Sequence, residues 1–194
     1  KKKQKNKVKS FLLFVAMLVC MLGLSIVPNT ARAASDFVVK DGVLVQYTGS
    51  SSSVTVPASV KKIGPSAFEG NNNITYVRLQ GKVKTIGAQA FSRCENLRTV
   101  SCSNSITKID NKAFRGCKNL KYMNFSTNLN RIGEYAFSGC SSLKSVKFSS
   151  KIGRIGAGVF NNCTSLRSVE IPQNAKIKWI RRYTFKNCKS LYSI

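Results

Sequence analysis

The chain has 194 residues, with 32 Lys+Arg against 7 Asp+Glu and no histidine, for a formal charge of +25. Without His there is no Ser-His-Asp triad, no Cys-His pair and no imidazole metal site, and seven acids leave little for paired-carboxylate hydrolysis or a hard-cation cage. A hydrophobic content of 43% is ordinary for a folded protein, so the basic excess points to a binding or scaffold protein and not to disorder.

Residues 1–33 read as a secretory signal peptide. Lys1, Lys2, Lys3, Lys5, Lys7 and Lys9 form a basic start, an apolar run extends from Phe11 to Val27, and Ala31-Arg32-Ala33 supplies a small-x-small cleavage site. A retained membrane anchor is the alternative, since the run is just long enough to cross a bilayer. Pro28 and the A-x-A site favour cleavage after Ala33. A lipoprotein signal would need a small residue before Cys20, and Val19 stands there. Removing the seven leader cations (six lysines and Arg32) leaves 25 basic residues against 7 acids, a net +18. The charge thus belongs to the exported part, which should attract anionic polymers in a salt-dependent way. The chain starts without methionine and stops inside a repeat, so it is expected to be a piece of a longer protein.

Residues 34–56 are expected to form an N-terminal cap. Phe37-Val38-Val39 and Val43-Leu44-Val45 flank Asp41-Gly42, a hairpin turn signal. The hairpin is expected to cover the edge of the first strand, Val54-Thr55-Val56. A solenoid needs such a cap for solubility.

Residues 57–194 repeat. Phe68, Phe91, Phe114, Phe137 and Phe160 recur every 23 residues, and Phe185 follows after 25. Around Phe91 the frame reads Val83-x-x-Ile86-Gly87-x-x-Ala90-Phe91-x-x-Cys94-x-x-Leu97-x-x-Val100-x-Cys102, and it returns in six units. The Val100-x-Cys102 stretch alternates inward and outward residues, so each unit supplies one short strand. No unit can bury its apolar side alone, so parallel stacking joins them into one core with ladders of Phe, Leu and Cys. The glycines after Ile (Gly64, Gly87, Gly133, Gly156) are expected to take φ > 0, a conformation Asp110 tolerates and Arg181 fits poorly. The sixth unit is irregular, with Thr184 in place of Ala and two extra residues before Trp179.

The frame I-G-x-x-A-F-x-x-C-x-x-L-x-x-V-x-I-P resembles the BspA-like leucine-rich repeats of bacterial surface proteins, over roughly residues 43–194. Ala90, Ala113 and Ala136 with Cys94, Cys117 and Cys140 carry the resemblance. Asn71 departs from the usual Cys, Val159 and Thr184 from Ala, and Cys102 and Phe125 from Ile, without breaking the frame. The resemblance implies an α/β leucine-rich-repeat solenoid: a horseshoe with parallel strands on the concave face and short turns or helical segments on the convex side. It also implies a secreted or cell-surface protein concerned with adhesion and protein binding. The family carries no catalytic residues to transfer, so no enzyme activity and no cofactor are expected.

Cys20 leaves with the leader. Cys94, Cys117, Cys140, Cys163 and Cys188 share one repeat position, and Cys102 takes an inward strand position. Ladder neighbours about 5 Å apart do not forbid bridges. Five members of one ladder cannot pair evenly, however, and free Cys is a good small core residue, so buried free thiols are expected. Cysteines one repeat apart lack the clustered spacing zinc needs. A nucleophilic Cys would lack a base.

Two surfaces are candidates for binding. The outward strand positions are Tyr76, Arg78 and Gln80, then Thr99 and Ser101, then Tyr122, Asn124 and Ser126, then Ser145, Lys147 and Ser149, then Ser168 and Glu170. They should line the concave face, with the tyrosines as anchors. The other surface is basic. Arg98, Lys121, Lys144 and Arg167 follow the repeat Leu, and a second ladder of Lys62, Lys108, Arg131 and Arg154 precedes the repeat Ile. Like charges about 5 Å apart in water repel by about 0.8 kcal/mol per pair before screening. An extended polyanion along the first stripe, a wall polymer or acidic host glycan, would relieve that. The leading expectation is a non-enzymatic repeat protein that binds an extracellular protein or glycan; the alternative is a wall-associated spacer whose activity lies in a further C-terminal region. No specific nucleic-acid partner is expected, nor membrane contact after cleavage.

Overall fold

The computed structural model describes residues 36–194, and the expected leader lies outside them. From Phe37 to Ile194 the chain winds through three stacked faces. On the first, β3 (Ser53–Val56), β5 (Tyr76–Leu79), β7 (Thr99–Cys102) and β9 (Tyr122–Met123) form a four-stranded parallel sheet, and β11 (Ser145–Lys147) and β13 (Ser168–Glu170) a separate parallel pair. On the second, β4 (Lys62–Ile63), β6 (Thr85–Ile86), β8 (Lys108–Ile109), β10 (Arg131–Ile132) and β12 (Arg154–Ile155) run parallel in strict register. The third face is a stack of turns built from the Ala-Phe-x-x-Cys segment.

The hairpin of β1 (Phe37–Lys40) and β2 (Val43–Tyr47) joins the second sheet, not the first. This corrects the expectation that it covers Val54-Thr55-Val56. Val43 pairs with Lys62 and Leu44 with Ile63, so β2 lies beside β4. The reason is side-chain fit. Fully buried Leu44 heads the column of Ile63, Ile86, Ile109, Ile132 and Ile155. Tyr47 extends the ring ladder, 5.1 Å from Phe68 and 5.1 Å from Phe37.

The convex side also differs from expectation: no helix forms among the described residues, so the α/β class and its helical segments are not upheld and the solenoid is all β and turn. Each unit carries two left-handed residues, which stop a helix from propagating. One precedes the repeat Ala (Ser66, Gln89, Lys112, Tyr135, Gly158, Tyr183) and one precedes the Cys position (Gly70, Arg93, Gly116, Gly139, Asn162, Asn187). At non-glycine positions this costs about 1–2 kcal/mol each. Hydrogen bonds along the stack offset the strain. Gln89, Phe91 and Arg93 donate their amides to the carbonyls of Asn111, Ala113 and Arg115 in the next unit, at 3.1, 2.7 and 2.7 Å. The same three donors recur in every inner unit, always toward the following one.

The glycines after Ile do not take positive φ, and neither do Asp110 and Arg181. Their role is close approach. A Cβ on Gly87 would stand 2.7 Å from the Ile63 carbonyl oxygen, and one on Gly156 2.6 Å from the Glu134 amide nitrogen. Small size, not conformational freedom, is what the turn demands there.

The core is one continuous column. Phe68, Phe91, Phe114, Phe137, Phe160 and Phe185 stack with ring centroids 4.7 to 5.8 Å apart. All six described cysteines are free. Those of the ladder act as donors: Cys94 Sγ lies 2.9 Å from the Phe68 carbonyl and Cys117 Sγ 3.0 Å from that of Phe91, and Cys140, Cys163 and Cys188 repeat the contact. Burial pushes the Cys94 thiol up to about 12 and holds Cys117 and Cys140 well above the ordinary range. Each of these carbonyls also accepts an amide, as Phe91 does from Cys94 at 3.2 Å, and the neutral thiol is its second donor.

Candidate functional site

The first sheet presents its outward residues in rows. Tyr76, Thr99 and Tyr122 are register partners, as are Arg78 and Ser101, Ser145 and Ser168, and Lys147 and Glu170. Arg78 Nε donates to Tyr76 Oη at 3.4 Å, and this bond, with the charge beside it, lowers the Tyr76 hydroxyl below the ordinary phenol range. Lys147 and Glu170 form a salt bridge at 2.8 Å. Tyr122 is 59% exposed. Ser126 does not belong to this face: it is buried, and its Oγ accepts a hydrogen bond from the Asn128 amide at 3.1 Å.

The sheet parts between β9 and β11. Phe125 occupies an inward position next to Phe148 of the following unit, their rings 5.4 Å apart and edge-on at 60°. Phe125 also meets Phe137 edge-on at 5.5 Å. Two such rings need more room than the strand spacing of about 4.8 Å provides. A groove of about 510 Å³ opens where the strands separate, walled by Tyr122, Asn124, Phe125, Ser145 and Lys147, with Lys121 at its lip. Phe125 was visible in the sequence as a departure from Ile, but its pairing with Phe148 across units was the informative signal.

Arg98, Lys121, Lys144 and Arg167 are all exposed and stand just before the strands. The amide of Lys121 donates to the Arg98 carbonyl at 3.0 Å, and that of Arg167 to the Lys144 carbonyl at 2.8 Å, so each pair is stacked at unit spacing. Among the described residues, the carboxylates that form salt bridges face other cations: Glu69 with Arg93, Asp110 with Lys108, Glu95 with Lys118 and Glu170 with Lys147. The second basic ladder lies on the other sheet, where Lys62, Thr85, Lys108, Arg131 and Arg154 are register partners. Among the described residues, no group of three or more His, Cys, Asp or Glu is placed to hold a metal ion, and no helix is long and apolar enough to cross a membrane.

No curated protein sequence matches the chain. Among solved structures, a leucine-rich repeat protein of T. pallidum is similar, with 29% identity and a TM-score of 0.79, over 82% of this chain and 79% of that one. The pneumococcal vaccine antigen PcpA shares the fold at 23% identity and a TM-score of 0.60; the match spans 70% of this chain and 35% of PcpA. A leucine-rich repeat protein of Bacteroides ovatus does so at 24% identity and 0.54, over 76% of this chain and 49% of that one. The family described as BspA type leucine rich repeat region matches in six copies, over residues 44–167 and 107–194. With the stacked units, the Phe column and the donor cysteines in place, the chain belongs to the BspA-type leucine-rich repeat family.

Proposed function

We propose that this chain is an exported, non-enzymatic binding protein of the bacterial cell surface that grips an extended anionic partner, a glycan or an acidic protein segment, along its first sheet. The observation that supports this most is the row of Arg98, Lys121, Lys144 and Arg167, exposed and outside the salt bridges, beside a groove of about 510 Å³. Cations stacked at unit spacing repel one another, and a chain of negative charge laid along them removes that cost. Tyr122 and Phe125 give the groove apolar area, while Asn124 and Ser145 give it hydrogen-bonding groups. The basic, apolar and A-x-A order of residues 1–33 supports export. The family's usual setting on bacterial surfaces agrees with it.

The test is retention of the full chain on an immobilised acidic polysaccharide over a salt series. Retention should fall steeply between low and physiological salt. Replacing Arg98, Lys121, Lys144 and Arg167 together by Gln should remove most of it. Equal retention of that variant sinks the stripe. Retention that survives salt but is lost in Tyr122→Ala would assign the site to the groove and a less charged partner.

A further inference from the structure

The sixth unit departs from the other five on the second sheet, at the chain's one tryptophan. Trp179 follows Arg154 by 25 residues, so it stands where the outward column of Lys62, Thr85, Lys108, Arg131 and Arg154 would continue. The two extra residues prevent it from pairing there. The Lys176 amide donates to the Ile152 carbonyl at 3.0 Å, one residue short of the position that Gly153 uses in the unit before, the Asn130 carbonyl at 2.9 Å. Further along, the Gly158 amide donates to the Arg182 carbonyl at 3.1 Å, and residues 177–181 are not part of a strand. Trp179 is left 61% exposed and Ile180 45% exposed.

Two clefts flank the indole. One of about 730 Å³ lies between Trp179 and the strands of the fourth and fifth units, and the other, of about 240 Å³, lies on the Lys176 side. Trp179, Arg154 and Arg181 wall both. Together the clefts gather Arg131, Arg154, Lys176, Lys178, Arg181 and Arg182 against a single carboxylate, Glu134. The Arg181 guanidinium sits 5.8 Å from the Trp179 ring centroid, which holds a cation beside the indole.

We propose that this basic, tryptophan-walled cleft is a second binding site, for an acidic pyranose unit of a polysaccharide, carboxylated or sulfated. An exposed indole offers a flat apolar surface that matches the C–H face of a sugar ring, and surrounding guanidinium groups match carboxylate or sulfate in bidentate geometry. Charge alone would suit any polyanion. The indole singles out one that carries a ring. The cleft lies on the second sheet, so it stands or falls independently of the stripe on the first.

The only tryptophan reports on its own occupancy. The full chain would be titrated with a heparin-derived oligosaccharide (sulfated), an oligogalacturonate (carboxylated), cellohexaose (neutral) and inorganic polyphosphate (anionic, without a ring). The expected result is a saturable change in Trp179 emission with one or both acidic sugars and none with cellohexaose. Which of the two responds distinguishes sulfate from carboxylate as the recognised group. By calorimetry, Trp179→Ala should weaken the acidic sugar about tenfold and leave polyphosphate binding unchanged. Arg154→Gln with Arg181→Gln should weaken both. All these residues are exposed, so far-UV circular dichroism should not change. The fourfold Gln variant of the first-sheet stripe should keep the emission response in full. The proposal is overturned by equal sugar affinity in Trp179→Ala, by an equal response to cellohexaose, by no response to either acidic sugar, or by loss of the response in the stripe variant.

Discussion

The turn stack and the first sheet are made from the same units, yet they behave differently. The stack runs through all six units, with rings in contact from Phe68 to Phe185 and amide donors continuing as far as Asn162 to the Lys186 carbonyl at 2.8 Å. The sheet breaks once, between β9 and β11. The stack absorbs no substitution at Phe, whereas the sheet takes Leu79, Cys102, Phe125, Phe148 or Ile171 at one inward position. Division of labour follows. The stack holds the coil together, which frees the sheet to open a groove without loss of the fold.

That contrast can be broken or sharpened in four ways. The largest effect is expected at the centre of the stack. Phe114→Ala should cost about 3–5 kcal/mol in a denaturant titration, because both neighbouring rings lose their contact. A cost below about 1 kcal/mol would mean that the stack does not carry the fold.

The second concerns pH. A solvated thiol ionises near 9.0 in the unfolded chain, whereas Cys94 buried in the stack does so at about 12. The folded state therefore keeps the proton that the unfolded chain releases. Stability from these thiols is whole below pH 9 and is lost as pH rises from 9 through 12. The denaturation midpoint should drop as pH rises above about 9, and Cys94→Ala should make the drop shallower by one thiol's share, because Cys117 and Cys140 still titrate on unfolding. A flat profile in the parent would contradict thiols held neutral in the core.

The third probes the break itself. Phe125→Ile should change stability by no more than about 1.5 kcal/mol while letting β9 and β11 pair. Hydrogen exchange at Met123 and Val146 should slow, and binding through the groove should weaken. The smallest effect belongs to the exposed Lys147–Glu170 bridge: Glu170→Gln should cost less than about 1 kcal/mol and lose even that in high salt.

Much of the stack was legible beforehand. The 23-residue period, the inward Phe and Cys columns and the parallel strands all follow from which residues recur. The left-handed positions were not legible, because Gln89, Lys112 and Tyr135 bear no mark of positive φ; hydrogen bonds from the next unit impose it. The glycines were visible but their reason was not, since Gly87 is fixed by the approach of Ile63 from another turn. The cap was readable as a hairpin, yet its choice of sheet depends on Leu44 completing the Ile column. At the candidate site alternation puts Arg78, Tyr122 and Lys147 outward, where they are exposed, but it also puts Ser126 there, which is buried. The groove was not legible, because it arises from two phenylalanines 23 residues apart and from no local pattern.

One property of the turn stack reaches beyond packing. Its three amides per unit all point toward later units, and their carbonyl partners toward earlier ones. The two sheets carry bonds of the opposite sense: the amides of Lys84 and Gly87 donate to the Lys61 and Ile63 carbonyls at 2.9 and 2.9 Å, and that of Arg98 to the Thr75 carbonyl at 2.8 Å, each in the unit before. The solenoid therefore holds opposed rows of peptide dipoles, and the partial charges of the turn stack are offset along the coil by those of the sheets. An α-helix differs, since all its peptides align and its amide ends gather at the N-terminus. Both rows reach the hairpin: the Tyr47 amide donates to the Ala67 carbonyl at 2.9 Å, and the Gly64 amide donates back to the Leu44 carbonyl at 2.8 Å. Adding units of the same design extends both rows together, so the coil can lengthen without building up a pole at either end.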